Sequence, residues 1–468
     1  MSNMREKYHK LFNNSLLFTI GNLGSKLITF IMLPLYTYKM STSEFGVTDL
    51  AQTTITLLLP IIYLSIFDAV LRFGLDKDSD EQAILINAFF LTCMSSLIIG
   101  LLYPLLLHFN LKYSGYVVII LILQGFQNLF SQYAKAINQV RLFALNGILL
   151  SFTTALFNVI FLAFLNMSVR GFFLSLVLSN AISNIFLIYR ANIIHNLNFK
   201  KFDLTHLMEM LKFSIPLIPN SIAWWINNTI SRYFILFFLG VTSNGIFAVS
   251  NKIPALLTII NSIFYQSWQM SAIEEYKSDD REVFFSKIYV RYSQLLLIVS
   301  SLIIMVIKPL LKIIVSPNFF ESWKYVPFLL ITIIYSSLAG FLGQNYIAAK
   351  QTKQIFLTTI YGSVINVILN IVFIPVIGLQ GAAMSSMISF LFVWLYRQKD
   401  SQKYVKLIIP QKKLFVSNLV ILSQSFLLLI FTEATGVVLQ AVCFLLLLFI
   451  NKDSISDFFA ILISFTKK

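Results

Sequence analysis

The sequence predicts an all-α polytopic membrane protein of about 14 transmembrane helices, built as two six-helix lobes related by a parallel internal repeat plus two extra C-terminal helices. Three observations predict it. Of the 468 residues, 57% are hydrophobic and 12% charged; a solvated globular surface carries about 25% charged residues. Mean hydropathy is +0.80. Apolar runs long enough to cross a bilayer, about 20 residues each, recur from Asn13 to Asn451. They are continuous and do not alternate with period two, which argues against a barrel. Finally, the basic residues fall on one side of the predicted spans.

Taken in order, the first span (13–38) holds Lys26 near its middle, and its Lys and length argue against a cleaved signal peptide. The second (44–70) contains Pro60. Spans three to six cover 83–108, 115–138, 142–166 and 171–191. The seventh (212–239) carries Pro216 and Pro219, and the eighth (244–270) carries Pro254. Such prolines remove a backbone hydrogen bond and favour a kink. Then follow 288–308, 325–348, 354–377 and 379–397, the last two separated by a tight turn at Ile377-Gly378. Spans 413–432 and 435–451 complete the set. The connections around 192–211 and 271–287 are mixed in charge and are expected to hold short surface helices; the tail 454–465 reads as an interfacial helix.

With both termini cytoplasmic, inner segments hold 26 of the 35 Lys and Arg residues, outer segments six, and three lie inside spans. That is a positive-inside pattern. It accounts for most of the +15 net charge through anionic lipid headgroups and needs no nucleic acid. Glu44-Phe-Gly-Val-Thr-Asp-Leu-Ala-Gln52 aligns with Ser243-Asn-Gly-Ile-Phe-Ala-Val-Ser-Asn251. Gln132-Tyr-Ala-Lys-Ala136 aligns with Asn345-Tyr-Ile-Ala-Ala349, and Ile188-Tyr-Arg190 with Leu395-Tyr-Arg397. An offset of six spans gives parallel repeats about an axis along the membrane normal. The expected division is 1–200 and 201–406 for the lobes, with 407–468 holding the extra helices and an amphipathic tail.

Polar residues are not scattered. Ser15, Thr19, Asn22, Lys26 and Thr29 share one helix face, and Ser221, Trp225, Asn228 and Arg232 repeat the pattern in span seven. Span two offers Asp49, Thr53 and Thr56, and span eight offers Asn251, Lys252 and Asn261. A central Lys or Arg costs about 2.5–3.5 kcal/mol to insert, a cost retained where the charge meets water, a partner or a ligand. Three span cations (Lys26, Arg232, Lys252) against two carboxylates (Asp49, Asp68) suit an anionic substrate such as a pyrophosphate. Structural pairing, of Lys26 with Asp49 or Asp68, or snorkelling of Arg232 and Lys252, is the competing reading. Asp68 and Arg72 are spaced for an i,i+4 pair or a gate contact, and Asp49 is the candidate for ion coupling. Cys93 and Cys443 fall in separate spans, and the four histidines lack ligand spacing, so neither a disulfide framework nor a metal site is expected. No Gly-x-x-x-x-Gly-Lys-Ser/Thr motif occurs, so ATP hydrolysis at a P-loop is not expected.

The stretches "LFNNSLLFTIGNLGSKLITFIMLPLYTYKMSTSEFGVTDLAQT", "SIFDAVLRFGL", "YAKAINQVRLFAL", "NYIAAKQTKQIFL" and "GLQGAAMSSMISF" resemble polysaccharide flippases of the multidrug/oligosaccharidyl-lipid/polysaccharide exporter superfamily. The resemblance extends over nearly the whole chain. It implies a V-shaped bundle in the bacterial cytoplasmic membrane that moves undecaprenyl-pyrophosphate-linked oligosaccharide from the inner to the outer leaflet by alternating access. It implies no enzyme activity and no cofactor, coupling to a proton or sodium gradient, and work beside other polysaccharide assembly proteins. By position, the family's cavity cations map onto Lys26, Arg232 and Lys252, beside Asn22 and Asn228; Asp49, Asp68 and Arg72 remain candidates for gating or ion coupling. Peptidoglycan-precursor flippases carry more cavity arginines than this chain does. Two alternatives stay open: a multidrug or cation efflux antiporter of the same fold, and a membrane polysaccharide polymerase or ligase.

Overall fold

The computed structural model describes residue 28 and residues 30–452, apart from 77–78, 109–111, 275, 277, 350 and 432–433. Eleven helices among the described residues are long and apolar enough to cross a membrane, and Thr435–Ile450 is a shorter apolar helix. The chain divides into two compact units, Met1–Trp225 and Ile226–Lys468.

In the first unit the helices are α1 (Leu33–Lys39), α2 (Thr42–Ile62), α3 (Ile66–Gly74), α4 (Glu81–His108), α5 (Ser114–Ala136), α6 (Val140–Asn158, extended by a π-helical turn over Val159–Phe164) and α7 (Ser168–Arg190). The short α8 (Ile193–Asn196) and α9 (Leu204–Ser214) follow, and α10 (Ile218–Thr229) runs across the division at Trp225–Ile226. Helix α2 starts with a capping box. Ser41 accepts from the backbone N–H of Glu44, whose carboxylate accepts from the backbone N–H of Ser41 at 2.8 Å, satisfying two donors that the helix leaves open.

Predicted span two is not one rod. Leu64 and Ser65 separate α2 from α3, and both have positive φ, 52° and 51°. Left-handed backbone costs a non-glycine residue roughly 1–2 kcal/mol, so the surroundings must hold it. They do. The backbone N–H of Ser65 donates to the Pro60 carbonyl at 2.9 Å and that of Ile66 to Tyr63 at 3.0 Å. Tyr63 is fully buried, with its hydroxyl 3.1 Å from Ser96 Oγ and 3.2 Å from the Leu121 carbonyl. Its ring occupies the space left by Gly125, where a Cβ would lie 2.3 Å from it. Ile66, Phe67, Leu129, Tyr133, Leu207 and Met210 belong to the same hydrophobic cluster, so the break is packed into the core of this unit.

The second unit contains α11 (Ser231–Lys252), α12 (Pro254–Glu274), α13 (Arg281–Ile314), α14 (Val326–Ala348), α15 (Thr352–Ile377), α16 (Leu379–Asp400), α17 (Gln411–Ile430) and α18 (Ala434–Ile450). Within α11, Gly240 is non-helical (φ 82°, ψ 174°), a kink inside the predicted connection between spans seven and eight. Gly378 (φ 61°) makes the predicted tight turn between α15 and α16. Helix α14 is the most enclosed, with 83% of its membrane window buried. Around it rings stack: Trp268 on Phe341 with centroids 4.2 Å apart, Phe264 on Tyr292 at 3.8 Å, and Tyr335 on Trp394 at 5.2 Å.

Candidate functional site

In the first unit the polar face of α2 is realised. The Thr53 hydroxyl donates to the Asp49 carbonyl at 2.6 Å and the Thr56 hydroxyl to the Thr53 carbonyl at 2.8 Å. The hydroxyls thus satisfy themselves on their own helix. The indole N–H of Trp225 then donates to the Thr53 carbonyl at 3.1 Å. Polar faces expected on spans two and seven therefore meet inside this unit, with Asp49 half-buried alongside and the neighbouring Trp224 exposed. Asp68 lies in the first turn of α3 and is exposed; the cation whose field reaches it is Lys135 on α5. Lys135 Nζ stands 4.2 Å from the ring centroid of Phe143. Arg72 reaches forward to Asp76 Oδ1 at 2.5 Å, with both side chains more than half exposed. The pairing of Arg72 is thus with the next turn, in place of the Asp68 partner that the spacing offered.

In the second unit Asn228 is exposed near the end of α10, while Arg232 and Lys252 are half-buried in the first turn and at the last residue of α11. The kink at Gly240 lies between the two cations. Lys26 and Asn22, with the rest of the polar face of span one, lie outside the described residues.

Two arrangements were not foreseen. Asn227 Nδ2 donates to the Thr359 carbonyl at 3.1 Å and to Ser363 Oγ at 2.6 Å, and Asn366 Nδ2 donates to the Asn227 carbonyl at 3.2 Å. Asn370 donates onward to the Asn366 side chain. These asparagines stand at i and i+4 on α15, a spacing that marks one helix face and was available in the sequence. The second arrangement is Arg397, assigned from its position to the basic inner segments, yet only 5% exposed. Its Nε donates to Thr358 Oγ1 at 2.9 Å, Nη1 to the Ala339 carbonyl at 2.9 Å, and Nη2 to the Ile355 carbonyl at 3.2 Å and Thr359 Oγ1 at 3.1 Å. One guanidinium thereby ties α16 to α14 and α15 through neutral oxygens. Thr358 and Thr359, adjacent on α15, are the signal that was missed.

Residues 11–273 match the family model described as polysaccharide biosynthesis protein. The chain belongs to that family. Among relatives of this polysaccharide biosynthesis protein, protein 1 of the Lsg locus of Haemophilus influenzae is 24% identical over 260 residues. The match covers 53% of this chain and 63% of that relative's length. The solved structure of the lipid II flippase MurJ in an inward closed conformation superposes with TM-score 0.65 at 15% identity, over 94% of this chain and 100% of that one. MATE in complex with MaL6 gives TM-score 0.63 at 13% identity, over 84% and 96%. A MOP superfamily transporter from Pyrococcus furiosus gives 0.62 at 12%, over 84% and 96%. At these identities the likeness establishes the fold alone, one shared with these solved membrane proteins.

Proposed function

We propose that this protein is a flippase for a polyprenyl-pyrophosphate-linked oligosaccharide in surface polysaccharide biosynthesis. It works by alternating access in a bacterial cytoplasmic membrane, with both termini cytoplasmic. The observation that carries the reading is a polysaccharide biosynthesis family match on a chain with 11 candidate spans among its described residues and a fold that a lipid II flippase shares. A glycan assembled on a lipid must cross the bilayer, and a multi-pass bundle is the kind of scaffold that carries it.

In this reading Lys26, Arg232 and Lys252 attract the pyrophosphate by charge and hydrogen bonding, with Asn22 and Asn228 beside them. A proton or sodium gradient drives the cycle, with Asp49 and Asp68 as the carboxylates available for coupling and Arg72 one turn beyond Asp68 as a gating candidate. The predicted lobes are 1–200 and 201–406, with 407–468 appended.

The test is twofold. Depletion of the protein should trap the lipid-linked repeat unit in the inner leaflet, read by accessibility to an external glycan-binding probe. Each of Lys26→Ala, Arg232→Ala and Lys252→Ala should slow translocation about tenfold, the loss of one charge-assisted contact of about 1.4 kcal/mol. Unchanged transport in all three variants removes the anion site. Drug resistance without any effect on glycan translocation replaces the flippase by a multidrug or cation exporter of the same fold.

A further inference from the structure

We propose that residues 199–215 form a strap lying in the headgroup region of the bilayer, with anionic phospholipid as its partner. The inward side of this segment is tied to the first unit. Leu207 and Met210 are buried in its hydrophobic cluster, and the Phe202 ring lies 4.7 Å from that of Phe90. Lys201 Nζ is 2.7 Å from Asp80 Oδ2, and the backbone N–H of Asp203 donates to Asn87 Oδ1 at 3.2 Å. Asp203 also caps α9, accepting from the backbone N–H of Thr205 at 2.9 Å. The segment is a folded element with a fixed orientation.

The outward side is where the inference begins. A helix on a protein surface in water shows one apolar face and one polar face. Helix α9 has both, with Thr205, Glu209 and Lys212 on its far side, but it also leaves an apolar flank exposed beside the buried face. Leu204 (60% exposed), Met208 (59%) and, just past the end of the helix, Ile215 (45%) follow a helical spacing on that flank, and Phe199 just upstream is 73% exposed. Such a second apolar stripe suits a second apolar medium. The segment follows directly on α7, a candidate membrane span, so that medium is within reach. Lys200 and Lys212 are exposed at either end of the stripe, with stems long enough to keep their ammonium groups at phosphate depth while the stripe sits deeper. From Arg190 to Ile215 the chain carries four cations (Arg190, Lys200, Lys201, Lys212) and two carboxylates (Asp203, Glu209). Apolar insertion with a cationic margin is the signature of an interfacial segment, and its complement is a lipid with net negative charge, such as phosphatidylglycerol. The inference is independent of what the protein carries across the membrane.

The experiment uses the full-length chain in vesicles of phosphatidylcholine with and without phosphatidylglycerol. A bimane is attached at Met208→Cys, with Cys93 and Cys443, both free thiols, replaced by serine. Brominated lipids quench the label if it lies in the bilayer; aqueous iodide quenches it if it lies in water. Strong quenching by bromolipid is expected, with brominated phosphatidylglycerol preferred over brominated phosphatidylcholine. About 1 kcal/mol per lysine, roughly fivefold each, sets the scale of the preference, and Lys200→Gln with Lys212→Gln together should abolish it. Iodide quenching without bromolipid quenching overturns the strap. Equal quenching by the two brominated lipids overturns the anionic partner. Leu204→Cys, one turn earlier on the same flank, serves as a second label site should Met208→Cys not fold.

Discussion

Arg190 and Arg397 close α7 and α16 with almost the same residues, Ile-Tyr-Arg and Leu-Tyr-Arg, and end in opposite environments. Arg190 is exposed, and Tyr189 before it is 81% exposed. Arg397 is buried and uses all three of its nitrogens on neighbouring helices. Their own tripeptides do not decide this. For Arg397 the partners do: α15 offers two adjacent threonine hydroxyls, and α14 has a glycine at 343, where a Cβ would stand 3.1 Å from Nη1. A buried charge is tolerated when every available donor finds an oxygen, so the vacant side-chain position and the hydroxyls must be present together.

The comparison is broken most directly by truncation. Arg397→Ala should destabilise the protein by about 3 kcal/mol or more, since it removes four hydrogen bonds that tie α16 to α14 and α15 and leaves a void. Arg190→Ala should cost less than about 0.5 kcal/mol. Thermal unfolding of the two variants in the same detergent gives the contrast, and equal losses would dissolve it. Gly343→Ala tests the space alone: its Cβ stands 3.1 Å from Nη1, so the bonded guanidinium must shift by a few tenths of an ångström, which should cost about 1 kcal/mol. Trp394→Phe, on the same helix as Arg397, deletes a buried donor 2.7 Å from the Tyr289 hydroxyl and should cost about 1 kcal/mol. Smallest is the exposed Lys201–Asp80 pair. The Lys201 ammonium, together with the backbone N–H groups of Ala83 and Gln82, holds the Asp80 carboxyl below its ordinary value. A depressed carboxyl adds stability that is present above its unfolded value, near 3.9, and lost as pH falls through the native value. Lys201→Gln should therefore cost less than about 1 kcal/mol at neutral pH and nothing at strongly acid pH.

How far the sequence carried is best judged from individual residues. Apolar runs led to the helices, because hydropathy is a local property of composition. Gly378 could be read as a turn because its backbone freedom is visible in one letter. Pro60 suggested a bend in span two, but nothing at Leu64 or Ser65 announces left-handed backbone; that conformation is imposed by Tyr63 seated against Gly125 and Ser96. Arg397 was counted as an inner surface charge because hydropathy cannot distinguish a helix-end cation that points outward from one that points into its own bundle. Among the site residues, helical spacing put Asp49, Thr53 and Thr56 on one face of α2, but the bond of Trp225 to the Thr53 carbonyl depends on packing that spacing does not encode. Arg232 and Lys252 stand at opposite ends of one kinked helix, a relation that spacing alone did not convey.

The break between α2 and α3 has a mechanical consequence. A continuous helix carries torque and thrust along its length, whereas a joint held by two left-handed residues passes on only what its anchor permits. With the Tyr63 hydroxyl fastened to Ser96 on α4 and to the Leu121 carbonyl on α5, the pivot stays fixed while either arm swings. Displacement of α2 would therefore reach Asp68 as rotation about a fulcrum, and a residue at 65 that relaxed the joint would uncouple the two arms without touching any charged group.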